Sequence, residues 1–274
     1  MRILVIATNR ERFPYGVPPL GAAKIVAALR HAGHAAELLD LCFAGDLEDE
    51  ILQTVAGFEP ELVGLSIRNL DNCFYNNPRS YYPETREIVA LVRRHTDVEL
   101  VAGGPAVSVG REALLRYLGI RYGIVGEGEH SLIQLIDRLQ NHRDQTIPGL
   151  IVAEDDGTTD YAPPDFACEL DEMPAFDPGI VDYRRYFDAG GMLNLQTKRG
   201  CPYRCVYCNY PALEGRQYRL KDPTICVDEI ERTMGQTGRK DFFFANSVCN
   251  VPETHAAAIA DEIKRRQLDI RWMA

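Results

Sequence analysis

The chain has 274 residues, 46% of them hydrophobic and 26% charged, with a net charge of -10 at neutral pH. That is room for one large domain or two ordinary ones, with the composition of a globular protein. The acidic balance argues against tight non-specific binding to nucleic acid or an anionic membrane, and no uninterrupted apolar run reaches spanning length.

The N-terminal run MRILVIATNRE meets charges too early for a secretory signal, so the eight cysteines read as metal ligands or buried thiols. The expected compartment is the cytoplasm. From the start, short β-type runs alternate with helical lengths. RILVIAT (2–8) has the apolar pattern of a strand covered on both faces, and LGAAKIVAALRHAG (20–33) follows as a helix. Next come AAELLDL, a helix near 47–57 and the strand LVGLSIR (62–68). A helix over about 84–95 leads to ELVAGG (99–104), and another over about 110–118 leads to YGIVGEG (122–128). EHSLIQLIDRLQ and the strand GLIVAE end the series. Strands spaced by helices require right-handed crossovers, so residues 1–150 are expected to form a doubly wound parallel sheet.

Ligands of such sheets sit beyond the carboxyl ends of the strands. Those ends are ATNRERFPYGVPPLG, SIRNLDN, AGGPAVS and VGEGEHS, and three of the four carry Gly or Pro turn chemistry. Two of them offer loop-to-helix amides suited to a phosphate. Any single Gly-rich loop is as well explained by tight turning of the chain. Elaboration at all four ends of one sheet favours a bound ligand.

Residues 151–190 are rich in Pro, Asp and Gly and read as a linker with a hairpin. Residues 191–274 begin a second β/α series. MLNLQTKRG is a strand, a helix spans about 223–235, KDFFFANS is a strand, PETHAAAIADEIKRRQ a helix, and DIRWMA opens a third strand. Ending on the start of a strand suggests part of a larger protein.

TKRGCPYRCVYCNYP (197–211) holds Cys201, Cys205 and Cys208 in the pattern Cys-x3-Cys-x2-Cys, in a loop after a strand. Thiolates suit iron–sulfur clusters and zinc. A closed zinc site needs a fourth Cys or His. Cys226 and Cys249 lie in a helix and after a strand without a second close pair, and His255 reads as a surface helix residue. A four-iron cluster on three thiolates instead leaves one iron open.

RGCPYRCVYC resembles the signature of the radical S-adenosylmethionine superfamily, whose fold is a partial (β/α) barrel, and the likeness covers about residues 193–274. The resemblance implies a [4Fe–4S] cluster on Cys201, Cys205 and Cys208, with S-adenosylmethionine chelating the fourth iron. It places Tyr207 near the adenine and gives Arg216 and Arg219 weaker roles beside the cofactor. FANSVCN ends the strand where relatives contact the methionine moiety, and there Asn246 stands in place of the usual acidic residue.

A doubly wound domain ahead of such a barrel resembles the cobalamin-binding subgroup of that superfamily. PPLG with Pro19, AGGP with Gly103, Gly104 and Pro105, and GEGE with Gly126, Glu127, Gly128 and Glu129 occur in the subgroup's order. The resemblance puts SIRNLDN at the lower corrin face, with Ser66, Arg68 and Asn69 in that loop. The glycine loops would hold the nucleotide tail. An Arg68–Asp71 pair that braces the loop explains Arg68 equally well, and helix-dipole stabilisation explains both glutamates. No Asp-x-His-x-x-Gly motif occurs, and His31, His34 and His130 read as helix-surface residues, so no histidine is expected below cobalt.

Cys42, Cys73 and Cys168 are too scattered for a second cluster and, with Cys226 and Cys249, read as buried or partly buried apolar residues. That counts against the methylthiotransferase relatives. The activity implied is methyl transfer from S-adenosylmethionine, through methylcobalamin, to an unactivated carbon or phosphorus of a small molecule or peptide. A flavodoxin- or ferredoxin-like electron donor is implied as partner. A cobalamin-using cyclase or oxidoreductase remains open, as does a non-catalytic cobalamin module with a vestigial cluster loop.

Overall fold

The computed structural model describes residues 1–143, 145–154, 156–175 and 177–274, which divide into two compact units. The first comprises Met1–Glu11 with Gly21–Asp165, the second Arg12–Leu20 with Phe166–Ala274.

In the first unit the elements run β1 (Arg2–Ala7), α1 (Leu20–His31), β2 (Ala35–Asp40), α2 (Leu47–Phe58) and β3 (Leu62–Ser66). They continue α3 (Tyr82–His95), β4 (Glu99–Gly103), α4 (Pro105–Leu118), β5 (Tyr122–Ile124), α5 (Gly128–Asn141), β6 (Leu150–Ala153) and β7 (Thr159–Tyr161). The sheet order is β2-β1-β3-β4-β5-β6-β7, with β1 to β5 parallel and β6 and β7 antiparallel at one edge. The hairpin after residue 150 thus adds to the first sheet. Ile3, Leu4, Val5 and Ile6 of β1 are all at most 2% exposed, as a central strand covered on both faces requires. The chain reverses its direction of strand addition between β1 and β3, and their carboxyl ends flank the switch point where such sheets hold ligands.

Most boundaries follow the sequence pattern, but α4 begins at Pro105, about five residues before the expected start near 110. Pro105 takes the first helical turn, where its missing N–H costs nothing. The expected later start coincides with a break, because Arg111 has φ 46° and ψ -137° and divides the helix.

In the second unit α6 (Tyr183–Asp188) precedes β8 (Leu193–Leu195) and β9 (Lys198–Arg199). Then come α7 (Tyr210–Glu214), β10 (Arg219–Leu220), α8 (Pro223–Thr237), β11 (Asp241–Phe244), α9 (Glu253–Arg265) and β12 (Arg271–Met273). β8, β11 and β12 form a parallel sheet in the order β12-β11-β8, with α8 and α9 as its crossovers. This is how a (β/α) barrel begins. The expected strand 192–200 is two pieces, since after Leu195 the chain turns and β9 pairs antiparallel with β10. α8 starts sharply, with Asp222 accepting from the Thr224 N–H at 2.7 Å and Pro223 in its first turn.

Two expectations about single residues fail. His255 is not on the surface: it is 7% exposed, and its Nε2 lies 2.8 Å from the Lys221 carbonyl. It belongs to a buried group in which Lys221 Nζ pairs with Glu229 at 2.6 Å between α8 and the end of β10. Cys73 is not buried but exposed, at φ 55° in a turn where its N–H donates to Asp71 Oδ1 at 2.7 Å.

Candidate functional site

The first unit presents its candidate ligand loops through the ends of β1, β3, β4 and β5. Parallel register sets Ala7 beside Ser66, and beyond it the Thr8 N–H and hydroxyl both donate to the Ser66 carbonyl at 3.2 Å. Asn9 and Asn69 then meet, with Asn69 Nδ2 donating to Asn9 Oδ1 at 3.5 Å. Asn9 Nδ2 is buried without a hydrogen-bond partner. Such an orphan costs stability unless a ligand acceptor completes it. Ser66 and Asn69 are half-buried and Arg68 is exposed.

At the end of β4, Gly104 has φ 95°, and a Cβ there would stand 2.7 Å from the Ile67 carbonyl oxygen. Only glycine lets the chain turn this close to β3. The Ile67 N–H donates to Gly103 O at 2.9 Å, and the Ala106 N–H returns to Ile67 O at 3.1 Å. Ser108 joins the two glycine loops: its Oγ accepts from the Gly126 N–H at 2.8 Å and lies 3.4 Å from the Gly104 carbonyl. Pro105 is exposed, while Gly126, Glu127 and Gly128 are half-buried. Glu129 is 7% exposed. His130 is exposed, and none of these strand-end loops contains another histidine. Pro19 is half-buried and falls in the segment that groups with the second unit. The sequence reading missed Thr8, Asn9 and Ser108. Asn9 was legible in principle, since strand ends in register bring its neighbourhood beside Asn69.

A cobalamin has an amide-rich rim and a phosphate-bearing tail. The orphaned Asn9 amide and the glycine-loop N–H groups suit both, so the residues present fit the group.

In the second unit the cysteine loop is fastened at its root. Gly200, at φ 87°, passes so close to the segment before β10 that an added Cβ would be 1.9 Å from Gln217 O. Its N–H donates to Glu214 Oε2 at 3.2 Å, and its carbonyl accepts from Ser247 Oγ at 3.0 Å. Cys201 is 5% exposed, and its N–H donates to Gly215 O at 3.0 Å. Cys205 is exposed and Cys208 half-buried, in a turn closed by Cys208 N–H to Cys205 O at 3.1 Å. Tyr207 is 86% exposed.

Among the described residues no three His, Cys, Asp or Glu side chains stand close enough to hold a metal ion, so the three thiols share a loop without converging. As donors they still fit an iron–sulfur centre: all three are free thiols, on one loop, beyond a strand end.

The loop after β11 faces this root. Thr197 and Asn246 exchange two bonds of 3.0 Å, main-chain N–H to Oδ1 and Nδ2 to Oγ1. Lys198 is fully buried, and its Nζ donates to the carbonyls of Val248 and Val251 while lying 4.4 Å from the Tyr218 ring centroid. Arg219 is half-buried and donates to the carbonyls of Cys168 (3.2 Å) and Glu214 (2.9 Å), whereas Arg216 is exposed. Lys198 escaped the sequence reading because a lysine in a short strand reads as solvent-facing.

Residues 7–136 match the family model of the B12 binding domain. The tryptophan 2-C-methyltransferase of Streptomyces laurentii is 29% identical over 96% of this chain. The anaerobic magnesium-protoporphyrin IX monomethyl ester cyclase of Synechocystis is 28% identical over 84% of it. The radical S-adenosylmethionine methyltransferase TsrM from Kitasatospora setae, solved with cobalamin and a [4Fe–4S] cluster bound, superposes with TM-score 0.85 at 30% identity over 97% of this chain. The chain spans about half the length of the relatives it matches: 52% of the Streptomyces enzyme, 46% of the cyclase and 51% of TsrM.

Proposed function

We propose a function on the premise that this chain belongs to the cobalamin-binding radical S-adenosylmethionine enzymes. The first unit binds cobalamin, the second binds a [4Fe–4S] cluster and S-adenosylmethionine, and the whole protein transfers a methyl group to an unactivated carbon or phosphorus centre. The observation that carries this reading is the pairing, in one chain, of a B12 binding domain with a Cys-x3-Cys-x2-Cys loop at the mouth of a parallel β/α unit.

When bound, cobalamin supplies a methyl carrier, and the cluster with S-adenosylmethionine supplies reductive cleavage of a carbon–sulfur bond. The chain's own residues bind and orient. Cys201, Cys205 and Cys208 ligate iron as thiolates, and Tyr207, wholly outside the packed core, is free to cover the adenine. Arg216 is the exposed arginine available to the cofactor, because Arg219 spends its donors on main-chain carbonyls. Asn246 serves as a lock on Thr197 in place of an acidic contact. On the first unit Ser66, Arg68 and Asn69 face the corrin, while the loops at Gly103–Pro105 and Gly126–Glu129 take the nucleotide tail, with the Gly104 and Gly128 N–H groups as donors. No residue here is assigned a catalytic role.

The substrate class is a small molecule or peptide; the solved TsrM carries tryptophan as substrate. A flavodoxin- or ferredoxin-like protein in the cytoplasm is the electron source. No helix among the described residues is long and apolar enough to cross a membrane.

The test uses S-adenosylmethionine labelled in its methyl carbon, given to reduced, reconstituted protein in the dark. Label that stays with the protein-bound cobalamin after desalting supports methyl transfer. Loaded protein that never passes label to cobalamin contradicts it. The likeness to the cyclase favours a second reading, cobalamin-dependent ring closure. There, deoxyadenosine would form with no label moved.

A further inference from the structure

Lys198 calls for an explanation that bracing alone does not give. It is fully buried in β9, three residues before Cys201. Lysine is rarely buried to this extent, and removing its charge from water is costly. The two carbonyls and the Tyr218 ring that receive it are all uncharged. A neutral donor could tie the same loop without that cost. Burial pushes the Lys198 ammonium down from its ordinary pKa, and the charges of Cys249, Cys201 and Glu214 push it back up. The chain runs from Lys198 through Arg199 and Gly200 straight into Cys201, so Lys198 sits at the root of the cysteine loop.

We propose that the buried ammonium of Lys198 raises the reduction potential of the iron–sulfur centre held by Cys201, Cys205 and Cys208. The inference rests on the cluster reading given under Proposed function. Reduction brings one electron from the donor to the centre, oxidises the donor, and makes or breaks no bond. The added negative charge is stabilised by a fixed positive charge in a poorly polarisable surrounding. Because Nζ is held by Val248 and Val251, the charge stays at the root of the loop instead of escaping to solvent. Lys198 touches no reacting atom in this account; it is a positioning residue whose charge matters.

The experiment compares wild type, Lys198→Gln and Lys198→Arg. Each is reconstituted anaerobically with iron and sulfide and titrated with dithionite, with the reduced centre followed by electron paramagnetic resonance. Gln keeps a donor and loses the charge; Arg keeps both. The expected result is a more negative midpoint for Lys198→Gln and an unchanged one for Lys198→Arg. Equal midpoints in wild type and Lys198→Gln would overturn the proposal. Loss of iron in the Gln variant alone overturns it, because the charge is then needed to hold the centre and not to set its potential. Loss in both variants overturns it, because shape then suffices as the cause. A folded wild type that takes up no iron overturns the cluster reading and this inference with it, an outcome distinct from iron-loaded proteins with equal midpoints.

Discussion

In the first unit the candidate ligand loops extend from four of the five parallel strands, and main-chain contacts do most of the positioning: Gly103 against Ile67, Ile67 against Ala106, Thr8 against Ser66. In the second unit the strands are two to four residues long, and side chains do that work: Thr197 with Asn246, Ser247 and Glu214 on Gly200, Lys198 on two carbonyls. A surface built from sheet register is in place before its ligand arrives. A loop fastened at its root leaves its outer thiols, Cys205 and Cys208, unconverged with Cys201 among the described residues, and in the proposed function they would close on iron. The first design suits a large rigid cofactor that is gripped along its length. The second suits a centre whose formation supplies the order it needs.

The sharpest way to break this comparison is to remove one thiol. Cys205→Ala is expected to abolish iron uptake while leaving cobalamin affinity within about twofold of wild type, since the sites share no residue; equilibrium binding followed by absorbance checks it. Loss of cobalamin as well would mean the sites are not separate. Next in size is the buried pair within the second unit. Glu229→Gln leaves the Lys221 charge without its 2.6 Å partner and is expected to cost about 3–5 kcal/mol in denaturant unfolding. Gly200→Ala follows. The positive φ alone costs about 1–2 kcal/mol and the 1.9 Å approach to Gln217 O adds to it, so iron uptake and melting temperature should fall together. If only the melting temperature falls, the root does not position the cysteines.

In the first unit the expected effects are smaller. Ser108→Ala removes the link between two loops that the sheet already holds, and should cost about 1 kcal/mol in stability with a loss of cobalamin affinity of similar size. Tyr81, whose hydroxyl bonds Glu11, has its pKa pushed up to about 12 by burial and then by that carboxylate. The folded state therefore keeps a proton that the unfolded chain loses near 10, and this stability is present below pH 10 and lost as pH rises towards 12. Tyr81→Phe should flatten that slope in unfolding curves taken across the window.

The sequence disclosed what depends on local pattern. Apolar runs marked β1 to β5, Gly and Pro marked their ends, and cysteine spacing marked the candidate cluster loop. What depends on partners distant in sequence was not legible. Lys198 and His255 look like solvent-facing residues until carbonyls from residues 248, 251 and 221 are brought to them. Asn246 looked like a departure from an acidic contact, and its amide instead answers both polar groups of Thr197. The early start of α4 was obscured because Pro105 is ordinarily a breaker, and only the N1 position makes it compatible with a helix.

The proposed function requires one chain to carry two different cofactors at once. Anaerobic reconstitution with iron, sulfide and hydroxocobalamin, followed by desalting and metal analysis, measures that. About four irons and one cobalt per chain are predicted, with the cluster bleached by dithionite. Iron without cobalt would contradict the reading of the first unit as a cobalamin site. A folded chain that retains neither would contradict the account as a whole.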